Sequence, residues 1–176
     1  MKTATQPAQH YTQNAWEGTE YQKHRNYGIT EIAKDVRAQL KKQYPACKFS
    51  VTVEKYSGGQ SLTIALMSAP FDAILKYGSP DPCTYEFIES TNPDRGYAQL
   101  NHYAFNENYA ANSRPIPGWN NGCQLSRDAW TCMSDVYKFS SSFNYSDSDP
   151  QIDYFSVNFY LHLAIGKWDV PFKKIN

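Results

Sequence analysis

The stretch ITEIAKDVRAQLKKQYPACKFSVTVEKYSGGQSLTIAL, Ile29 to Leu66, decides the fold. Ile29, Ile32, Ala33, Val36 and Leu40 fall on one stripe of a 3.6-residue period, which predicts an amphipathic helix from Thr30 to Tyr44. Thr30 is placed to cap it, Glu31 suits the positive end of the helix dipole, Lys41 and Lys42 suit the negative end, and Pro45 stops it. The period then changes to two. Phe49, Val51 and Val53 alternate with Ser50, Thr52 and Glu54, and Leu62, Ile64 and Leu66 alternate with Ser61, Thr63 and Ala65, so each run is a half-buried strand. Between them Tyr56-Ser57-Gly58-Gly59-Gln60 supplies glycines for the positive φ of a hairpin turn.

Further along, Pro70, Phe71, Ile74 and Leu75 predict a short helix closed near Gly78, and the prolines of Ser79-Pro80-Asp81-Pro82 require a connection. Thr84 to Ile88 and Tyr97 to Tyr103 read as strands, and Arg114 through Gly122 reads as a loop. Ser126 is placed to cap a second helix whose inner face is Ala129, Trp130, Met133, Val136, Tyr137 and Ser140. Phe155, Val157, Phe159, Leu161, Leu163 and Ile165 form a period-two run that predicts one long, central strand. The expected architecture is a single α+β domain over residues 28–176, an antiparallel sheet with two main helices on one face. It is preceded by a partly ordered arm, residues 1–27, held by Tyr11, Trp16 and Tyr21.

With 41% hydrophobic residues in 176, the chain can bury one sizeable core, and its 15% aromatic content excludes a disordered composition. Seventeen Lys and Arg balance seventeen Asp and Glu, so net charge draws the molecule neither to nucleic acid nor into mimicry of it. The charge is unevenly spread. Residues 1–60 hold nine Lys/Arg against five Asp/Glu and the remainder eight against twelve, an asymmetry able to orient a partner or to draw the two halves together. The early residues contain no apolar core of a signal peptide, and the apolar run ending at Ile165 is too short to span a bilayer, so no export or membrane insertion is expected. Cys47, Cys83, Cys123 and Cys132 lack metal or redox spacing and are expected to be reduced thiols.

Catalysis needs a base within reach of an orienting partner, and His10, His24, His102 and His162 stand in no such motif. The Ser57-Gly58-Gly59 turn lacks the Lys-Ser/Thr that follows a phosphate-cradling loop. Asp147, Asp149 and Asp153 lack the Gly and Glu of a calcium loop. No catalytic activity, cofactor or metal is therefore expected. Lys34, Arg37 and Lys41 form a basic ridge on the first helix that suits phosphates, but Glu31 and Asp35 beside it suit an ordinary solvated face.

The order Ala33-Lys34, Arg37, Leu40-Lys41, Tyr44-Pro45, Lys48-Phe49-Ser50-Val51 and Tyr56 to Ser61 resembles the large polyvalent protein associated domain family numbered twenty-nine in its series. The closing stretch, Tyr145 to Asp149, Asp153 to Phe155, Asn158 to His162, Gly166 to Asp169 and Pro171-Phe172, is similar to the C-terminal part of longer members. The resemblance implies an origin in phages, plasmids or conjugative elements and a place in the cytoplasm of the bacterial host. In that setting the expected function is stoichiometric inhibition of a host defence effector, a protein or ribonucleoprotein, of the anti-CRISPR or anti-restriction kind. The alternative is a nucleic-acid-binding accessory protein using Lys34, Arg37 and Lys41. Aromatic residues in segments without an evident packing role mark the expected partner surface: Tyr109 and Trp119 as apolar anchors, and Asp147, Asp149 and Asp153 facing a basic surface. The alternative for Trp119 is that it folds back onto the sheet as a lid over the core instead of meeting a partner.

Overall fold

Glycine at position 28 opens the first helix, α1 (Ile29–Gln43): the Glu31 carboxylate reaches back and accepts the Gly28 N–H at 2.8 Å, half of a capping box. Thr30, expected as the cap, instead lies exposed inside the first turn. The chain is a computed structural model that describes residue 12 and residues 15–76, 88–92, 96–105 and 123–176. Ile29, Ile32, Ala33, Val36 and Leu40 are all buried, as their spacing requires. The predicted hairpin follows as β2 (Lys48–Tyr56) and β3 (Gly59–Ala69), paired antiparallel with Val51 opposite Ile64 and Val53 opposite Leu62. At the turn it is Gly58 that takes positive φ, at +90°, while Gly59 already belongs to β3.

β3 lies in a six-stranded sheet with β5 (Ile88–Asn92), β6 (Tyr97–Leu100), β9 (Tyr160–Ile165) and β10 (Lys173–Lys174), ordered β10-β3-β9-β6-β5, with β2 on the other side of β3. The α+β class and the two helices packed over one sheet face are as expected, but the sheet is mixed. β9 runs parallel to β3, with Leu62 beside Leu161, Ile64 beside Leu163 and Leu66 beside Ile165, and β10 also runs parallel to β3. A tight turn makes consecutive strands antiparallel. The connection from β3 to β9 contains the second helix and returns the chain to the starting end of β3, so parallel pairing results. β9 is central, as its apolar run predicts, yet it begins only at Tyr160. Residues 155–159 are held instead by a bridge from Val157 to Ser146 and by the Asn158 N–H donating to the Tyr145 carbonyl at 3.2 Å.

The second helix, α2 (Arg127–Ser141), is capped as predicted: the Ser126 hydroxyl accepts the Ala129 N–H at 3.1 Å. Met133 and Val136 are fully buried, whereas Trp130 is half-buried and stacks on Phe105 with ring centroids 4.6 Å apart. The C-terminal end of α1 is tied to α2 by Asp135, which accepts from the Tyr44 hydroxyl at 2.6 Å and from the Gln43 amide at 2.8 Å. The short helix expected after Pro70 is absent. Ile74–Lys76 is strand β4, which pairs antiparallel with β7 (Cys123–Leu125). A three-residue run has no period of its own, and its distant partner decides its conformation. The strand expected over Tyr97 to Tyr103 stops at Leu100 and turns into a 3-10 turn at His102–Phe105.

Candidate functional site

The early end of β6 opens a gap in the sheet. β6 pairs with β9 only from Leu163 onward, so the first half of β9, Tyr160 to His162, has no strand among the described residues on that side. What lies there is a cleft of about 490 Å³, whose aromatic lining is Trp16, Tyr137, Phe155, Phe159 and Tyr160. His102, His162, Asn144 and serines 141, 146 and 148 supply its polar side chains, with Val157 and Leu161 completing the wall. No Lys, Arg, Asp or Glu is among the described lining residues.

Each wall is positioned by specific contacts. Trp16 comes from β1 (Trp16–Glu17), which pairs with β8 (Tyr145–Ser146), Trp16 opposite Ser146. Gly18 allows this approach: a Cβ there would stand 2.3 Å from the carbonyl oxygens of Ser141 and Ser142. Its N–H donates to the Asn144 carbonyl at 2.8 Å, the Glu20 N–H donates to the Ser142 carbonyl at 2.9 Å, and the Tyr21 ring lies 4.8 Å from Tyr145. The floor is set by Asn144, whose buried side-chain amide acts like a strand neighbour for Phe159: its Nδ2 donates to the Phe159 carbonyl at 2.9 Å and its Oδ1 accepts the Phe159 N–H at 3.2 Å.

Three rings of the cleft are also well exposed, Trp16 at 43%, Phe155 at 56% and Tyr160 at 39%. Large aromatic side chains gathered at one concave site are what a partner or ligand displaces water from. His102 faces the cleft from the 3-10 turn, and burial, with His162 nearby, lowers its pKa to about 4. It is therefore neutral at physiological pH. The unfolded chain takes up this proton first, so the contribution to stability is complete above pH 6.5 and is lost as pH falls through 4. A loss on the order of 2 kcal/mol over that window is expected, and His102→Gln should flatten it in urea melts at stepped pH. An identical acid limb in the variant would assign the loss to other groups.

The sequence-predicted residues are dispersed. Tyr109 and Trp119 lie outside the described residues. Asp147 is buried and accepts the Thr12 N–H at 2.7 Å; Asp149 caps a 3-10 turn by accepting the Gln151 N–H at 2.9 Å; Asp153 is exposed in a left-handed conformation, φ +55°. Asp149 and Asp153 flank the cleft in sequence, next to Ser148 and two residues before Phe155. Lys34, Arg37 and Lys41 lie on the far side of α1, and Arg37 donates to the Val51 carbonyl on strand β2. Cys47 and Cys132 are free thiols whose pKa values burial pushes up, which makes them poor nucleophiles at neutral pH. Among the described residues no three His, Cys, Asp or Glu side chains gather in a metal-binding arrangement. Sequence reading missed the cleft because its residues come from five separated segments; Trp16 and Phe155 were visible as aromatic residues, but not as neighbours.

No curated protein and no solved structure matches this chain. Residues 27–112 do match a known family, the large polyvalent protein associated domain 29, which occurs in polyvalent proteins of phages and other mobile elements. That segment carries α1 and strands β2 to β6, and of the cleft-lining residues only His102 falls inside it. The similarity noted for the closing stretch lies beyond the matched residues. The family match thus covers residues 27–112, just under half of the chain.

Proposed function

We propose that this chain is a mobile-element inhibitor of bacterial immunity, of the anti-CRISPR or anti-restriction kind, that acts in the host cytoplasm by stoichiometric binding to a defence effector and without catalysis. The observation that carries the reading is the aromatic cleft: Trp16, Phe155 and Tyr160 are exposed around one concavity and provide a rigid docking surface at low entropic cost. The family's occurrence in mobile-element proteins supplies the setting in which such binding is useful. No helix among the described residues is long and apolar enough to cross a membrane. Plasmid and phage challenge of strains with defined CRISPR or restriction systems tests the proposal. Expression of the chain should protect the incoming element, and Trp16→Ala with Phe155→Ala, at unchanged melting temperature, should cut protection at least about tenfold. Absence of protection against every system tried would reject this function.

The alternative, a nucleic-acid-binding accessory protein, rests on Lys34 and Lys41, which are exposed with no described carboxylate within ion-pair distance. Arg37, partly engaged with β2, would contribute less. A gel shift that weakens steeply with salt and is lost when Lys34 and Lys41 become Glu would favour it.

A further inference from the structure

The segment that supplies most of the cleft wall carries charge of one sign. From Phe139 to Gly166 the chain contains three aspartates and neither Lys nor Arg, and this segment supplies most of the cleft wall. Asp149 is partly exposed and Asp153 fully so, on the turn that joins Ser148 to Phe155. The described lining carries no ammonium or guanidinium group, and His102 adds no charge at neutral pH. Four rings, Trp16, Tyr137, Phe155 and Tyr160, therefore face a space with no fixed positive charge among its described lining residues, with two aspartates on the adjoining turn. A phosphate group would meet no cation among the described lining residues and would be repelled by the aspartates. A planar cation would meet the negative faces of aromatic rings, an attraction that strengthens as water is excluded, and its remaining N–H groups would meet acceptors on the serines and carboxylates.

We propose that the cleft binds an arginine side chain presented by a basic segment of the partner protein. The proposal rests on the binding function inferred above and adds the chemistry of the contact. Arginine is favoured over lysine because its guanidinium is flat, stacks on rings and sheds water more easily than an ammonium group. The aromatic walls supply the holding surface, and the two aspartates attract the basic segment and set its approach.

The test uses the intact chain and short peptides: tetra-arginine, tetra-lysine and tetra-glutamate, titrated by calorimetry. Tetra-arginine should bind, tetra-lysine at least about threefold more weakly, and tetra-glutamate not at all. Phe155→Ala, an exposed position whose replacement leaves the core intact, should weaken tetra-arginine at least about tenfold. Asp149→Asn with Asp153→Asn should weaken it less and reduce its salt dependence. Equal binding of the arginine and glutamate peptides, undiminished binding by Phe155→Ala, or preferential binding of oligothymidylate at this cleft would overturn the proposal. Arginine-peptide binding that Phe155→Ala abolishes supports it even if the challenge assays show no protection, and indifference to the peptide overturns it even if they do.

Discussion

Asn144→Ala should lower the unfolding free energy by about 3 to 5 kcal/mol, because it strips two partners from a buried stretch of backbone at once. The Phe159 N–H and carbonyl both bond to the Asn144 side chain, at 3.2 and 2.9 Å, in a region where Phe159 is 1% and Asn144 8% exposed. Among the described residues neither group has a strand neighbour to turn to, since β9 begins one residue later and β6 pairs with it only from Leu163. A buried peptide group left unpaired costs about 1 to 3 kcal/mol, and here there are two. The Tyr145 N–H, which donates to the same Oδ1 at 2.9 Å, would lose its partner as well. Urea unfolding measures the effect. A loss below about 1 kcal/mol would mean that water replaces the amide and that Asn144 is dispensable to the floor of the cleft.

Gly166→Ala should be comparably damaging, and Gly58→Ala makes the control. Both glycines have positive φ, +64° and +90°, where a non-glycine residue is strained by about 1 to 2 kcal/mol. The space around them differs. A Cβ at Gly58 meets nothing within 4 Å, whereas at Gly166 it would stand 2.3 Å from the Gly96 carbonyl oxygen and 2.6 Å from the Phe172 nitrogen. Those two atoms are joined by a hydrogen bond of 2.8 Å that ties the entry to β6 to the segment leading into β10. Backbone cannot step aside as a flexible side chain can, so overpacking adds about 1 to 3 kcal/mol and the total reaches about 3 to 5. Equal melting temperatures for the two variants would show that the Gly166 turn relaxes freely.

These two sites mark where sequence reading stops. α1, the β2–β3 hairpin and the Ser126-capped α2 are legible because each carries its signal locally: a 3.6-residue stripe, a period of two on either side of a glycine turn, and a cap before an amphipathic run. Ile74–Lys76 is not legible, because three residues hold no period and β7, some fifty residues away, makes it a strand. The length of β9 is not legible either. Phe155 to Ile165 alternates throughout, yet among the described residues only its second half pairs within the sheet, while the first half is held by a lone bridge from Val157 to Ser146 and lines the cleft.

By itself, then, the sequence determined the α+β class, two helices on one sheet face, the core stripes of α1 and β3, and a C-terminal apolar strand at the centre, because burial of periodic apolar residues is a local instruction repeated along the chain. Only the tertiary structure decided that this strand runs parallel to β3, that Asn144 substitutes for its missing neighbour, and that Trp16, Tyr137, Phe155 and Tyr160 share one cleft. Those features depend on pairings between residues up to about 140 positions apart. Alternation states which face of a strand is buried; it does not state which strand lies beside it or in which direction it runs.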